Sequence, residues 1–304
     1  MLKNLDTPPK GADPFIWTDF IELRAILHPD KCFSRGELSS IEKCNRDMGG
    51  GFNLENRWRD IINFSGNRKK EFEHFYPFNI SADLDTIEFD YAGSPAHIAY
   101  VGFLIASCMR NITNTRKSEV ARIFEETCFE IFSSLMPSGS EVRATWANAG
   151  KAAVYTGTLY EKMKALAKDL RCVPTFEERD FNRRDTGDGG IDLIAWHPMA
   201  DDRQGMPIAF AQCGCSKDDW EFKHLEASPA KHRRHFPVMH LWATYYFLPL
   251  DLRFSDGDWA YKSDIGDAII VDRLRLLRIS EQNNLLQKLS DMPYVDEALK
   301  FQYP

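Results

Sequence analysis

One aspartate interrupts an apolar run, and one glutamine nearly closes another. The first run is Gly187-Asp188-Gly189-Gly190-Ile191-Asp192-Leu193-Ile194-Ala195-Trp196, and the second is Ile208-Ala209-Phe210-Ala211-Gln212-Cys213. Both read as short strands joined by a polar loop, His197 to Met206, that holds Pro198, Asp201, Asp202 and Gly205. An ionised carboxylate inside a strand is costly to bury unless it is paired or binds a metal. Side chains alternate along a strand, so Asp192, Ile194 and Trp196 share one face, as do Ile208, Phe210 and Gln212. Antiparallel pairing across the loop sets Trp196 near Ile208 and Asp192 near Gln212, roughly 5 Å apart at Cβ. A carboxylate and an amide at that spacing can share a metal ion or its water, the skeleton of a metal-dependent phosphodiesterase site. A register slip of one residue would put them on opposite faces.

Several elements must position this pair. Ser118 to Leu135 carries Val120, Ile123, Phe124, Cys128, Ile131, Phe132 and Leu135 at helical spacing, with Ser118 placed as a cap. This helix offers Glu125, Glu126 and Glu130, and at about 100° per residue the first two point differently. A second helix is expected over Tyr155 to Leu170. After the strands, Ser216 is placed to cap a helix from Lys217 to about Ala227, with Asp219 as in a capping box. On it Lys223 follows Trp220 by one turn, on the same face. Val238 to Leu248 and Ala268 to Ile279 read mainly as strands, Glu281 to Leu289 and Val295 to Phe301 as short helices. Upstream, Phe15 to Leu27 reads as an amphipathic helix and residues 31–75 as polar and irregular, with Gly49-Gly50-Gly51 as a loop. Pro77 to Tyr91 reads as strand and loop, and Ala96 to Met109 as a buried apolar element. The glycine run lacks the Lys-Ser/Thr ending of a phosphate-binding loop. Asp83-Leu84-Asp85 lacks the glycine and glutamate of a calcium loop. Asn111 to Lys117 is the clearest polar break and divides the chain into 1–110 and 111–304.

Composition narrows the partners. The 304 residues carry a formal charge of −7, which argues against a general electrostatic grip on nucleic acid. A local basic groove remains open, from Lys231-His232-Arg233-Arg234-His235 or the sparser Arg273, Arg275 and Arg278. Seven cysteines, odd in number and without a CxxC pair, suit a reducing compartment and argue against a structural zinc site. The lone His197 and His224 make no metal cluster. The first residues lack the apolar core of a signal peptide, and the longest apolar stretches are too short for a membrane span. A cytoplasmic protein with no membrane partner is expected.

The order of these pieces resembles the PD-(D/E)xK nuclease superfamily, and more closely its Mrr-type restriction endonuclease branch, whose motifs run FE on a helix, GxD on one strand and QxK on the next. The counterparts are Phe124-Glu125, Gly190-Ile191-Asp192 and Gln212-Cys213-Gly214, within roughly residues 115–280. The resemblance implies an α/β fold. A restriction endonuclease-like core, a central mixed β-sheet flanked by helices, would occupy 111–304, behind a mainly helical N-terminal domain of unassigned role over 1–110. It implies a Mg²⁺-dependent (or Mn²⁺-dependent) endonuclease hydrolysing phosphodiesters, of DNA ahead of RNA, in a restriction or anti-phage defence setting. Asp192 would be the main metal ligand, Glu125 a direct or water-mediated one, and the Cys213 carbonyl another. Gln212 would orient water or accept the metal, and Asp188 would hold the glycine turn or join the outer shell. One position departs from the pattern: the family lysine falls on Gly214. Lys223 is the substitute from the following helix and Lys217 the second candidate, with Gly214 leaving room for the migrated side chain. Without that lysine the chain reads as a catalytically inactive nuclease-like module for nucleic-acid binding or assembly. The first 110 residues would recognise substrate, bind a partner such as an ATPase, or restrain the nuclease, and an acidic chain would borrow a basic surface from a partner or a homo-oligomer.

Overall fold

The computed structural model describes residues 1–44, 54–146, 154–216 and 220–301. Gly49, Gly50, Gly51, Lys217 and Asp219 lie outside the described residues.

The first third is helical, with a small sheet. Pro14 opens helix α1 (Pro14–Leu27), which is buried on nearly every side. Strand β1 (Cys32–Ser34), helix α2 (Arg35–Cys44) and helix α3 (Leu54–Phe72) follow. The expectation of irregular chain over 31–75 is therefore corrected. Trp58, Ile61, Ile62, Ser65 and Phe72 recur at helical spacing and are buried, while the charged residues between them conceal the pattern. Strands β2 (Phe78–Ile80) and β3 (Thr86–Phe89) complete an antiparallel sheet of order β1-β3-β2, so this region is not helical throughout. Helix α4 (Pro95–Ser107), capped by Ser94 through the His97 amide, is apolar on all sides and buried.

Helix α5 (Asn114–Leu135) starts four residues earlier than expected, after Thr113, and Ser118 lies inside it rather than capping it. Arg116 holds the added turn through ion pairs to Glu119 and Glu297. After strand β4 (Glu141–Ala144), a full capping box at Thr158 and Glu161 starts helix α6 (Leu159–Asp169). Strands β5 (Leu193–Trp196) and β6 (Ile208–Cys213) come next. In place of one helix to Ala227 there are two single turns, α7 (Trp220–Lys223) and α8 (Pro229–His232). Strand β7 (Ala243–Phe247) is followed by β8, which spans only Ile269–Val271. The long strand expected to Ile279 ends there because the Asp272 carboxylate accepts the Arg275 amide and caps helix α9 (Arg273–Gln282). Helices α10 (Leu286–Leu289) and α11 (Pro293–Leu299) close the chain.

The larger sheet has the order β4-β5-β6-β7-β8; its first two pairings are antiparallel and its last two parallel. The fold is thus α/β with a mixed five-stranded sheet. Both faces are covered. Leu193, Ala195, Ala209, Ala211, Cys213 and Phe247 join the cluster that includes Phe124, Cys128, Ile131 and Phe132 of α5. Ile194, Trp196, Ile208 and Phe210 join Met163, Leu166 and Ala167 of α6. Burial on both faces explains why β5 and β6 read as unbroken apolar runs.

The first cluster also reaches back to α1, α3 and α4, so one core draws on residues from both sides of position 110. A buried ionic group crosses the same seam. Arg273 bonds Asp19 through both terminal nitrogens (3.0 and 2.7 Å), and Arg68 pairs with Asp19, Glu22 and Asp251. Of the basic run at 273–278, Arg273 is buried in this group and unavailable to a groove, while Arg275 and Arg278 are exposed and donate to the carbonyls of Ile270 and Glu71. No described helix is long and apolar enough to cross a membrane.

Candidate functional site

The pairing of β5 with β6 is antiparallel, with Trp196 opposite Ile208 and Leu193 opposite Ala211. Counting on, Asp192 falls opposite Gln212, but it stands one residue outside the paired strand. The cause is local. Gly189 and Gly190 take φ of +73° and +85°, a region open to glycine and strained for other residues. They turn the chain sharply just ahead of β5. The backbone of Asp192 is then pinned on two sides, its amide to the Ala211 carbonyl (2.9 Å) and its carbonyl to the Thr145 amide (2.9 Å). Its carboxylate accepts the Cys213 amide at 2.7 Å and is only 4% exposed.

The same turn brings Asp188 back against Asp192. Asp188 Oδ1 accepts the Gly190 amide at 2.7 Å, which sets its carboxylate where its charge acts on Asp192. Burial, then the charge of Asp188, then that of Glu125 push the Asp192 carboxyl well above the usual carboxylate range, against the opposing pull of the Cys213 amide. Glu125 reaches the group from α5. Burial first, then Asp188 and Glu126, lift its carboxyl to about 7. Of its neighbours, Glu126 is exposed and pairs with Arg122, and Glu130 pairs with Lys288. Cys128, one turn beyond Glu125, shares a core cluster with Cys213 at the end of β6. The charge of Asp188 therefore acts on both Asp192 and Glu125, and that of Glu125 on Asp192.

Gln212 is 9% exposed, and its Oε1 has no hydrogen-bond partner. Lys162, on α6, donates to the Thr186 and Gly187 carbonyls (2.6 and 3.1 Å) and so supports the loop carrying Asp188. Lys223 is half-buried, and its charge acts on the Cys215 thiol, two residues past Cys213.

Gly214 does not leave room for a migrated lysine, contrary to expectation. A Cβ there would lie 2.3 Å from the hydroxyl of Tyr246. Tyr246 is fully buried on β7 in register with Gln212, and its hydroxyl has no hydrogen-bond partner among the described residues. Asp188 and Tyr246 are the two residues that sequence reasoning undervalued. Asp188 had a signal, a second acid four residues before Asp192 across a glycine pair. Tyr246 had none, because its position depends on how β7 pairs.

The donors suit a divalent cation of the magnesium type, which takes oxygen ligands, keeps several waters and needs only one or two carboxylates. Asp192, Glu125 and Asp188 supply carboxylates, and the unpartnered Gln212 Oε1 a neutral oxygen. Among the described residues, no group of three or more His, Cys, Asp or Glu side chains is arranged to hold a metal ion.

No protein-family description matches the sequence, and no curated protein matches it. Among solved structures, the MspJI restriction endonuclease in complex with a 27-mer oligonucleotide is similar over 69% of this chain, with 12% identity and a TM-score of 0.32. The similar part spans 35% of that chain. A likeness this slight has no bearing on the reaction, which must be read from the side chains.

Proposed function

We propose that this protein is a divalent-metal-dependent nuclease whose centre is Asp192, Glu125, Asp188 and Gln212, with DNA the substrate to test first. The observation that carries this reading is that two largely buried carboxyls, Asp192 and Glu125, are both held above their ordinary range by burial and by the charge of Asp188, with Gln212 following Ala211, the backbone partner of Asp192, along β6. Structural acids in a core are usually paired with a base, as Asp19 is here with Arg273. An unpaired acid cluster is costly unless a cation joins it. When bound, Mg²⁺ or Mn²⁺ would neutralise the charge that builds on a phosphodiester and lower the pKa of the attacking water. Asp192 is the principal ligand, fixed by the Cys213 amide, and Glu125 and Asp188 complete the acidic set. Gln212 orients the attacking water through its amide oxygen, and the Cys213 carbonyl is a further oxygen donor at the end of β6. Lys223 supplies positive charge from α7.

A second reading has a specific observation in its favour. The Tyr246 hydroxyl fills the place of a side chain at Gly214, so the family lysine is both absent and excluded, and the domain would bind nucleic acid without cutting it. Incubation with supercoiled plasmid, linear DNA and RNA, with Mg²⁺ or Mn²⁺ and with chelator, separates the two. The nuclease reading expects divalent-dependent cleavage that Asp192→Asn abolishes. Cleavage unchanged by Asp192→Asn would overturn the site, and binding without cleavage would favour the second reading.

A further inference from the structure

We infer that Lys231, with Arg183, Arg184, Arg233 and Arg234, forms a phosphodiester-binding surface that lays a DNA strand across the Gly189-Gly190 turn; this rests on the nuclease reading above. The key contact is at Gly190. A Cβ there would lie 2.9 Å from the Lys231 ammonium and 2.8 Å from the Glu226 Cβ. The glycine thus serves twice, supplying the turn and leaving the ammonium room to sit directly over it. Lys231 makes no ion pair, with Glu226 or with any other described residue, and its side chain is exposed. His232 is buried beneath it and bonds the Glu226 carbonyl at 2.9 Å, which fixes α8 beside the turn.

Two further segments meet there. Thr175 donates to the Arg234 carbonyl, and the Phe181 and His235 rings lie 5.8 Å apart, so the loop bearing Arg183 and Arg184 packs beside the segment bearing Arg233 and Arg234. All four arginines are exposed and make no ion pair with a described residue. The nearby acids include Glu226, whose carboxylate oxygen lies 3.1 Å from the same Cβ position at Gly190, Asp180, whose charge acts on His235, and Asp185, whose carboxylate is turned to the Gly187 amide. In a chain of net charge −7, five cations from two segments, without an ion pair among the described residues, lie beside the loop that carries Asp188 and Asp192. Phosphate groups spaced along a strand match such a row; a neutral or acidic ligand with a single charge would use one cation and leave the rest unpaired.

The test is fluorescence anisotropy of a labelled DNA duplex with the full chain in EDTA, repeated across salt concentrations. The triple variant Lys231→Ala/Arg233→Ala/Arg234→Ala is expected to weaken binding by more than about 10-fold near 0.1 M salt and to reduce the slope of log K against log salt by about 2.7, at about 0.9 per phosphate contact. Lys231→Arg should bind like the parent. The triple Lys10→Ala/Arg59→Ala/Lys70→Ala, which removes equal charge elsewhere, should bind within about 2-fold of it. Parental binding in the first triple, an equal loss in the second, or no binding by the parent chain would each overturn the inference. Cleavage read in parallel distinguishes the two claims. If cleavage depends on Asp192 but the first triple binds and cuts normally, the surface is wrong and the centre stands. If the first triple loses binding but the parent never cuts, the surface stands and the nuclease reading falls.

Discussion

Replacing Gly214 by alanine would set a methyl group against the Tyr246 phenol, 2.3 Å from its oxygen, 3.0 Å from Cζ and 3.3 Å from Cε2. The ring has nowhere to go. Tyr246 is fully buried among Trp220, Leu248 and Ile270, and the His224 ring faces it at 6.3 Å. Forcing an extra carbon into a packed core costs about 1–3 kcal/mol, so Gly214→Ala should destabilise the chain by that amount. Tyr246→Phe removes an oxygen that has no hydrogen-bond partner, and its effect should lie between neutral and about 1 kcal/mol stabilising. On the Tyr246→Phe background the nearest atom to the new methyl becomes Cζ, at 3.0 Å, and much of the penalty should vanish. The two substitutions should therefore couple by about 1 kcal/mol or more. Urea denaturation of the four proteins measures this as midpoint shifts at constant slope. Additivity within about 0.5 kcal/mol would refute the reasoning, as would a Gly214→Ala protein as stable as its parent. By the same geometry, Gly214→Lys should fail to install the family lysine and should destabilise the fold at least as much as alanine.

Other outcomes follow from the same contacts. Because the Glu125 carboxyl is raised from 4.5 to about 7, the folded chain holds its proton more tightly than the unfolded one. The resulting stability, up to about 3 kcal/mol, is complete below pH 4.5 and lost as pH rises through about 7. Thermal melts of metal-free protein should fall over that range, and Glu125→Gln should flatten the fall. Thr158→Ala removes a capping box and should cost about 1 kcal/mol in urea denaturation. Asp19→Asn leaves Arg273 and Arg68 short of a buried counter-charge and should cost about 3–5 kcal/mol, read as a lower urea midpoint.

The register of β5 on β6 was legible because alternation and loop length act together: Trp196 meets Ile208 as the pattern requires. The departure at Asp192 was not, since the period of two stops where two left-handed glycines begin. Those glycines also bring Asp188 inward, so a residue that pattern reading leaves in a loop becomes a member of the acid cluster. Apolar density misled at Ala268 to Ile279, where Leu274, Leu276 and Leu277 suit a strand or a helix equally; the deciding residue was Asp272, a cap. Charge misled at Arg273, because a buried guanidinium on a carboxylate and a solvated one look alike in sequence. The lysine question turned on Tyr246, whose place at Gly214 comes from the parallel pairing of β7 with β6, a long-range contact.

The central claim is that Asp192, Glu125 and Asp188 form a divalent-cation site, with the raised carboxyls of Asp192 and Glu125 giving up protons when a cation binds. Calorimetric titration of Mn²⁺ into the full chain near pH 6.5, in buffers of differing ionisation enthalpy, tests it most directly. The prediction is saturable binding that releases about one proton or more per ion, is lost in Asp192→Asn and releases fewer protons in Glu125→Gln. Absence of binding, or binding with unchanged affinity and proton release in both variants, would contradict it.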